Sequence, residues 1–367
     1  MIGSRLTSVT VEGYTSIRSA RVGLGRLNVL VGPNGAGKSN FVNALELLGR
    51  IANDDLQLFV GLRGGAATLL HGGTKGKAAI SLRVESPPDS YEARLVPGAR
   101  DDFVFDSETI SSADSATDHP FTRHLGRGHR ETLLHEDIEV HGEQPTAGHV
   151  VKLLGSCRVY HFHDTSRTAP VKLFADSADN VTLAPDAANL AAFLLGLSVS
   201  RQRAYQRIVR AIRQVAPFFR DFVLVQEKQG VRLRWRQVGL DKVLGPEAFS
   251  DGTLRFVCLA TLLLQPEPPL IVVLDEPELG LHPFALVQLA GMLQAVSTFS
   301  QVVVATQSVP LIDQFNLDEI IIVEREDGAS TFHRPDPNRL TAWLDDYSLG
   351  DLWRKNLLGG VPGREQG

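Results

Sequence analysis

The most restrictive feature of this sequence is a glycine-rich segment, residues 32–39, directly after the apolar run Leu27–Val31. Its residues, Gly-Pro-Asn-Gly-Ala-Gly-Lys-Ser, fit the pattern GxxxxGK[ST]. Small residues let the backbone N–H groups of such a loop surround phosphate oxygens at the N-terminus of a helix. The apolar periodicity of residues 41–48 predicts that helix. The order strand, loop and helix therefore predicts a site for nucleotide phosphates.

We call residues 32–39 the P-loop. In such a loop Lys38 would contact the β and γ phosphates, and the Ser39 hydroxyl would coordinate Mg²⁺. A chance glycine-rich turn is the alternative, and the preceding strand argues against it. The residues predicted to bind the nucleotide here are Gly32, Pro33, Asn34, Gly35, Ala36, Gly37, Lys38, Ser39 and Asn40.

A second apolar run, residues 270–274, ends in the acidic pair Asp275 and Glu276. A buried strand that ends in carboxylates is the Walker B arrangement of P-loop enzymes. We expect Asp275 to hold the Mg²⁺ shell and Glu276 to act on the attacking water as base or positioning group. The alternative is a strand that simply ends in an acidic turn.

The third motif, residues 249–255, reads Phe-Ser-Asp-Gly-Thr-Leu-Arg at the start of a predicted helix. Ser250 and Gly252 there can form an anion site from a hydroxyl, backbone N–H groups and the helix dipole. This signature segment resembles the ABC signature LSGGQ, although Asp251 and Thr253 depart from it. The resemblance implies that Ser250, Asp251 and Gly252 bind the ATP of a second subunit in a head-to-head dimer; a plain N-capped helix is the alternative.

The resemblance extends to two segments that follow apolar strands. Residues 277–283 resemble the D-loop of ABC ATPases, and residues 302–308 resemble their switch segment, where many relatives carry a histidine and this chain has Gln307. An amide can hydrogen-bond phosphate or water but cannot change its charge near neutral pH. The sequence shows no clear position for the glutamine of a Q-loop. Gln57 is a candidate, and the alternative is that it is a surface residue.

Together with residues 9–17 and the tail at residues 343–360, these motifs resemble the RecF, SMC and OLD-type ATPases, in particular bacterial stand-alone ATPases without a Toprim domain. The large separation of Lys38 and Asp275 favours this group over transporter ATPases, which have a short subdomain there. The chain shows no acidic cluster for a nuclease site beyond Glu276. If nuclease chemistry is involved, a partner protein should supply it.

The predicted fold class is α/β: an ABC-type ATPase head with a mixed-sheet nucleotide lobe, a second lobe with a parallel sheet, and a β-rich and helical insertion. We expect residues 1–96 to form the N-terminal lobe, residues 97–240 the insertion, residues 241–335 the C-terminal lobe, and residues 336–367 a helix and tail.

Alternating apolar and polar residues predict antiparallel strands at residues 78–84 and 93–96, whereas residues 97–150, rich in polar side chains without periodicity, are predicted as long loops. Helices are predicted around residues 249–264 and 283–298 and over residues 201–215, where a core-facing stripe is formed by Tyr205, Ile208, Val209, Ile212 and Val215. Residues 222–225 and 231–237 resemble a hairpin, and residues 301–305 read as a buried strand.

Composition adds only broad limits. The net charge of −5 and the pI of about 6.1 argue against a protein that coats nucleic acid through bulk charge, and a local basic patch could still bind phosphates. The two cysteines suit reduced thiols in the cytoplasm rather than disulfides. The longest apolar run, residues 256–264, is too short to span a bilayer, so we expect a cytoplasmic protein without a membrane partner.

Weaker signals leave alternatives open. Arg203, Arg207 and Arg210 lie on one side of the predicted helix 201–215, and alternation along residues 232–236 places Arg232, Arg234 and Arg236 on one strand face. Together they can form a phosphate-binding stripe, and solvated faces explain the same pattern. The histidines from His119 to His149 have spacings unlike a zinc site, whereas His161 and His163 can place two ligands on one strand face.

Two functional hypotheses follow. In the first, the chain is an ATPase that binds ATP and Mg²⁺, dimerises on ATP, and works with DNA in repair or phage defence alongside an effector protein. In the second, it is a regulatory scaffold whose ATP state holds or releases a protein effector without DNA contact.

Overall fold

The computed structural model describes residues 5–73, 79–113, 120–141, 145–344 and 346–358. Within these residues the chain forms two six-stranded sheets, two three-stranded sheets and the helices that pack against them. The strands are, in chain order, β1 Ser8–Tyr14, β2 Ile17–Gly23, β3 Leu27–Val31, β4 Ile80–Ser86, β5 Asp89–Pro97, β6 Phe103–Ser112, β7 Phe121–Gly126, β8 Arg158–Tyr160, β9 Phe174–Ala175, β10 Phe219–Phe222, β11 Gln226–Glu227, β12 Gly230–Arg232, β13 Trp235–Gln237, β14 Val243–Leu244, β15 Ile271–Asp275, β16 Gln301–Thr306, β17 Ile320–Glu326 and β18 Ala329–His333.

The α-helices flank these sheets, and none within the described residues is long and apolar enough to cross a membrane. They are α1 Lys38–Ala52, α2 Leu56–Leu62, α3 Ala66–Leu69, α4 Leu134–His141, α5 Pro145–Leu154, α6 Leu190–Ser200, α7 Gln202–Val215, α8 Asp251–Leu264, α9 Pro283–Val296, α10 Val309–Ile312, α11 Pro337–Leu344 and α12 Leu349–Arg354.

The central sheet has the strand order β18-β17-β3-β16-β15-β8. Its strands are parallel except for the β17–β18 pair. Alternate residues face two separate cores: Val29 and Val304 point to one, and Leu30 and Val303 to the other. Because both faces are covered, these strands appear in the sequence as continuous apolar runs. The predicted strands of residues 27–31, 270–274 and 301–305 are thereby confirmed to within a residue.

The second six-stranded sheet is antiparallel, with the order β2-β1-β4-β5-β6-β7. It covers one side of the central sheet and shares a core with α1, to which Val11, Leu82 and Phe105 contribute. The predicted antiparallel strands at residues 78–84 and 93–96 correspond to β4 and β5 and are confirmed.

The prediction of long loops for residues 97–150 is wrong. That segment contains β6, β7, α4 and the first part of α5, and β5 pairs with β6 across residue 97. The alternation of β6 is hidden because an inward position is held by a fully buried carboxylate, Glu108, rather than by an apolar residue. Glu108 accepts hydrogen bonds from Tyr91, from His129 and from the backbone N–H of Leu133.

The predicted hairpin of residues 222–225 and 231–237 is found, but its strands belong to two different sheets. Phe222 pairs with Trp235 in the sheet β10-β13-β14, and Gln226 pairs with Val231 in the sheet β11-β12-β9. The predicted alternation is observed, because Val231, Leu233 and Trp235 are buried whereas Arg232, Arg234 and Arg236 are not, but the segment is divided between β12 and β13 rather than forming one strand. Arg232 and Arg234 form ion pairs with Glu247 and Glu227.

The predicted helices around residues 201–215, 249–264 and 283–298 appear as α7, α8 and α9. Tyr205, Ile208, Val209 and Ile212 of the predicted α7 stripe are buried as their periodicity predicts, whereas Val215, the last residue of the helix, is half-buried. These helices pack on the face of the central sheet that is opposite to α1, and their side chains form one core with that face of the sheet.

Candidate nucleotide site

The register of the central sheet decides which loops meet. Val31, the last residue of β3, lies beside Thr306 of β16, and Ala305 lies beside Asp275 of β15. Tyr160 of β8 lies beside Leu274. Parallel strands end at the same sheet edge, which is where α/β proteins bind ligands. The loops that follow β3, β16, β15 and β8 therefore meet at one edge, although they come from distant parts of the chain.

The P-loop joins β3 to α1 in a conformation that requires glycine at several positions. Gly35 and Gly37 have φ angles of 79° and 112°. A Cβ at Gly32 would lie 2.2 Å from the backbone oxygen of Val323, so β17 leaves no space for a side chain there. Asn34 and Gly35 are exposed, shortly before α1 begins at Lys38.

Two serines, Ser330 and Ser16, hold the P-loop and the start of α1 in place through hydrogen bonds. Ser330 Oγ donates a hydrogen bond to the Ala36 oxygen at 2.6 Å and lies 2.6 Å from Ser16 Oγ. Asn40 Nδ2 donates to the same Ser16 Oγ at 2.6 Å. The sequence carried no signal for Ser330, because it comes from β18, almost three hundred residues after the loop. The bracing sets the position of α1 relative to β18.

Lys38 is buried, and its Nζ donates to the backbone oxygens of Gly32 and Pro33 at 2.8 and 3.0 Å. Burial lowers the pKa of Lys38, and the nearby carboxylates Glu276, Asp275 and Glu278 oppose that shift. One buried lysine thus interacts electrostatically with three acidic side chains. A triphosphate in this site would add further negative charge, which a bound cation would offset.

Asp275 has the properties of a ligand for that cation. Its Oδ1 atom is buried and has no hydrogen-bond partner among the described residues. Ser39, the other predicted Mg²⁺ ligand, is exposed at the start of α1. One carboxylate and one hydroxyl suit Mg²⁺, which keeps waters and phosphate oxygens as its other ligands. Within the described residues there is no group of three His, Cys, Asp or Glu side chains that could hold a metal by itself.

Glu276 adopts a backbone conformation that is unusual for a residue with a side chain. Its φ angle is 44°, in the left-handed region, and its N–H donates to the Ala305 oxygen at 2.8 Å. Gln307 Nε2 approaches Glu276 Oε1 at 3.4 Å. Strained backbone of this kind persists where neighbouring structure holds it and is concentrated at functional sites. The switch segment therefore contacts the predicted catalytic carboxylate directly.

Glu278 ties the D-loop to the switch segment, a role that the sequence did not reveal. Its Oε1 accepts hydrogen bonds from the Thr306 hydroxyl and, at 3.3 Å, from the Gln307 N–H. Its Oε2 is buried without a partner among the described residues. Burial raises the pKa of Glu278 despite these hydrogen bonds, and the charge of Glu276 adds to the increase.

The signature segment lies at the N-terminus of α8. Ser250 is the N-cap, and its Oγ accepts a hydrogen bond from the Thr253 N–H at 3.2 Å. A Cβ at Gly252 would lie 2.2 Å from the Gly280 oxygen, so α8 touches the D-loop backbone to backbone. Ser250 and Asp251 are exposed. Their described hydrogen bonds stay within α8 and do not reach the P-loop of the same chain.

Arg255 joins the signature helix to two neighbouring segments. Its guanidinium donates to the Leu279 oxygen in the D-loop and to the His163 oxygen after β8, each at 2.9 Å. His163 in turn contacts the Asp275 oxygen through Nε2 at 3.0 Å. Sequence reasoning included Arg255 in the signature segment and considered His163 only as a metal ligand beside His161. It did not predict these contacts, because only the sheet order places the segment after β8 beside Asp275.

The structure thus gathers the P-loop, Asp275, Glu276 and Gln307 at one sheet edge, and the signature segment contacts the D-loop that follows this edge. Gln57 is not at this edge: its Nε2 donates to the Phe103 and Arg130 oxygens in the antiparallel lobe. The rings of His161 and His163 lie 6.0 Å apart, centroid to centroid. His119 lies outside the described residues.

Fold and site together are similar to those of ABC-type P-loop ATPase heads, as in SMC proteins. The chain belongs to the family described as "AAA domain, putative AbiEii toxin, Type IV TA system", whose profile matches residues 27–313. No curated protein matches the chain.

Solved structures confirm the fold class. An Smc head bound to the C-winged helix domain of ScpA is 17% identical with a TM-score of 0.55, and the match covers 89% of this chain and 96% of that chain. An Smc head with an extended coiled coil from Pyrococcus furiosus, bound to the C-terminal domain of ScpA, is 14% identical with a TM-score of 0.55, covering 93% and 98%. At these identities the likeness shows the fold alone.

Proposed function

We propose that this chain binds ATP with Mg²⁺ and hydrolyses it in a head-to-head dimer, as a DNA-associated switch that acts on an effector protein. The observation that carries the proposal is the meeting of Lys38, Asp275, Glu276 and Gln307 at one sheet edge. In this proposal residues 1–96 and 241–335 supply the two sides of the nucleotide site. ATP hydrolysis agrees with the ATPase family to which the chain belongs.

Each residue has a defined task in the proposed reaction. The P-loop N–H groups and Lys38 hold the phosphates, so that the γ-phosphate faces the end of β15. Glu276 orients the attacking water and accepts its proton, and Gln307 holds the Glu276 carboxylate in place. Mg²⁺, held by Ser39 and Asp275, would neutralise charge that develops on the phosphate oxygens.

Dimerisation is supported by the exposed signature segment, whose described hydrogen bonds do not reach the P-loop of its own chain. Ser250 and Asp251 expose the N-terminus of α8, a place suited to anions. Next to it, the D-loop and α9 expose three large apolar side chains, Leu279, Phe284 and Val287, each at least 38% accessible. Exposed apolar side chains beside an anion-binding helix end favour a contact that closes on the nucleotide of a second copy.

Association with a protein effector is supported by the comparison structures, because both Smc heads are bound to a domain of ScpA. The family description, which names a putative toxin of a toxin–antitoxin system, also fits an ATPase that works with a partner protein. DNA association in repair or defence is supported by the exposed arginines of α7. The scaffold hypothesis differs from this proposal only in lacking DNA contact.

The test is the ATPase rate of wild type and Glu276→Gln, each alone, with linear duplex DNA and with single-stranded DNA, together with particle mass by light scattering. Glu276→Gln should bind ATP, accumulate as a dimer and lose about 100-fold or more in rate, the usual contribution of a positioned base. Lys38→Ala is the control that should lose ATP binding and remain monomeric.

Turnover at the wild-type rate in Glu276→Gln would contradict the role of this carboxylate. A wild-type rate that no DNA changes, combined with no DNA binding, would favour the scaffold hypothesis. A mass that ATP leaves unchanged in both wild type and Glu276→Gln would contradict the dimer.

A further inference from the structure

The helix α7 carries an unusual distribution of charge. Its fourteen residues contain four arginines and no acidic residue. Arg203, Arg207, Arg210 and Arg213 are all exposed, and we call these four side chains the arginine face. The chain as a whole has a net charge of −5, so this face is a local exception to its charge balance.

The arginine face works against the stability of its own helix. Neighbouring arginines are separated by three or four positions, the spacing at which like charges repel on a helix surface, at a cost of about 0.2–0.5 kcal/mol per pair. Arg203 also lies in the first turn, where the helix dipole disfavours positive charge. A solvated face that only needed polarity would be more stable with carboxylates among the arginines.

No carboxylate of the described residues neutralises this face. Arg207 donates to the Leu264 oxygen, Arg210 to the Gln206 oxygen and Arg213 to the Arg220 oxygen, all of them backbone acceptors. The nearby Asp221 carboxylate accepts from the Tyr205 hydroxyl and from the Phe222 N–H instead. Glu267 pairs with Arg201, which precedes the helix, rather than with the arginine face.

We propose that the arginine face binds the phosphate backbone of double-stranded DNA; this rests on the DNA association proposed above. From Arg203 to Arg213 the face extends roughly 15 Å along the helix axis, at 1.5 Å per residue. A duplex presents one negative charge per about 1.7 Å of its axis, so several phosphates lie within that length. Guanidinium groups suit phosphate oxygens because they offer paired N–H donors in a fixed plane.

A lipid surface fits this helix less well than DNA does. Helices that bind membranes insert an apolar face among the lipid chains. The apolar face of α7 is already buried in the protein core through Tyr205, Ile208, Val209 and Ile212. Only the charged face is available, so the helix can make electrostatic contacts with phosphates but cannot insert.

The position of α7 connects this face to the nucleotide site. Arg207 reaches the backbone oxygen of Leu264, the last residue of α8. The other end of α8 is the signature segment. DNA phosphates on the arginine face would thus contact a helix that packs directly on the signature helix.

The experiment is a titration of a fluorescein-labelled 30-base-pair duplex with the full chain, followed by anisotropy at several salt concentrations. The test variant is Arg203→Gln with Arg210→Gln, because neither guanidinium contacts another element and Gln forms helices well. Arg207 is left intact since it caps α8. The matched control is Arg100→Gln with Arg339→Gln, which removes two exposed arginines elsewhere.

Each phosphate contact contributes a slope of about −0.9 to the plot of log K against log salt. The test variant should therefore lose about 1.8 from the magnitude of the slope and on the order of 50-fold in affinity at 0.1 M salt. Its melting temperature should equal or exceed that of the wild type, because repulsion within α7 is relieved. The control should match wild type in slope and affinity apart from a small general charge effect.

The outcomes separate this inference from the proposed function. If wild type binds the duplex and the test variant keeps the wild-type slope and affinity, the arginine face is not the contact surface, and the DNA association stands. If wild type does not bind the duplex, both fail together, whereas ATP hydrolysis is unaffected. Binding to anionic vesicles but not to the duplex would assign the face to a membrane and would also overturn the inference.

Discussion

Replacing Gly252 by alanine tests whether the signature helix and the D-loop must touch. The added Cβ would lie 2.2 Å from the Gly280 oxygen, whereas ordinary van der Waals contact begins at 3.4 Å. The N-terminus of α8 and the D-loop must therefore separate by roughly 1.2 Å. A misplacement of about 1 Å can cost on the order of 100-fold in rate. We expect kcat for ATP hydrolysis to fall by about that factor in Gly252→Ala.

The fold should tolerate this change. Overpacking costs about 1–3 kcal/mol of the free energy of unfolding. Alanine within a helix gains about 0.5–1 kcal/mol over glycine, which offsets part of that cost. Gly291→Ala in α9 is the matched control, because nothing lies within 4 Å of its added Cβ. It should keep the wild-type rate and be slightly stabilised.

The measurements are steady-state ATPase rates and thermal unfolding followed by circular dichroism for both variants. A wild-type rate and wild-type melting temperature in Gly252→Ala would refute the reasoning, because the steric conflict would then have no consequence. An equal loss of rate in both variants would show that the loss does not depend on the contact with Gly280.

Two further predictions address neighbouring residues. Burial raises the pKa of Glu278, so ionising this carboxyl in the folded protein lowers the free energy of unfolding. This loss of stability is absent in acid and develops as the pH rises from the unfolded-state pKa through the raised folded-state pKa. Nucleotide-free Glu278→Gln should therefore melt above wild type at pH 8 and lose this advantage near pH 4; melting curves that run parallel across this range would contradict the assignment. Ser250→Arg should abolish the ATP-dependent dimer seen by light scattering at a cost of about 1 kcal/mol in folding stability, the usual cost of a lost N-cap. Ser348→Arg, which removes the serine N-cap of α12, is its control and should still dimerise.

Local patterns in the sequence were sufficient to predict the parts of the site that are continuous in the chain. The P-loop, the acidic end of β15 and the helix after Ser250 depend on glycine conformations, a buried apolar run and an N-cap, all of which are local properties. The same holds for the buried stripe of α7. These elements could therefore be predicted without knowing how they pack.

The antiparallel strands of residues 103–126 could not be predicted from periodicity. Glu108 occupies a core position of β6, and its burial is possible because Tyr91, His129 and Leu133 donate hydrogen bonds to it. A buried carboxylate with partners from other segments looks like a loop residue in the sequence. Hydrophobic patterns cannot detect burial that is stabilised by hydrogen bonds formed only in the folded chain.

Only the tertiary structure decided which residues support the site. Ser330 braces the P-loop, Glu278 contacts the switch segment, and Arg255 joins α8 to the D-loop and to His163. These contacts follow from the strand order β17-β3-β16-β15-β8, in which neighbours in space are distant in the chain. The sequence by itself determined that a nucleotide loop and a pair of acids exist, because their chemistry is local; their arrangement depends on strand pairing, which is a property of the whole sheet.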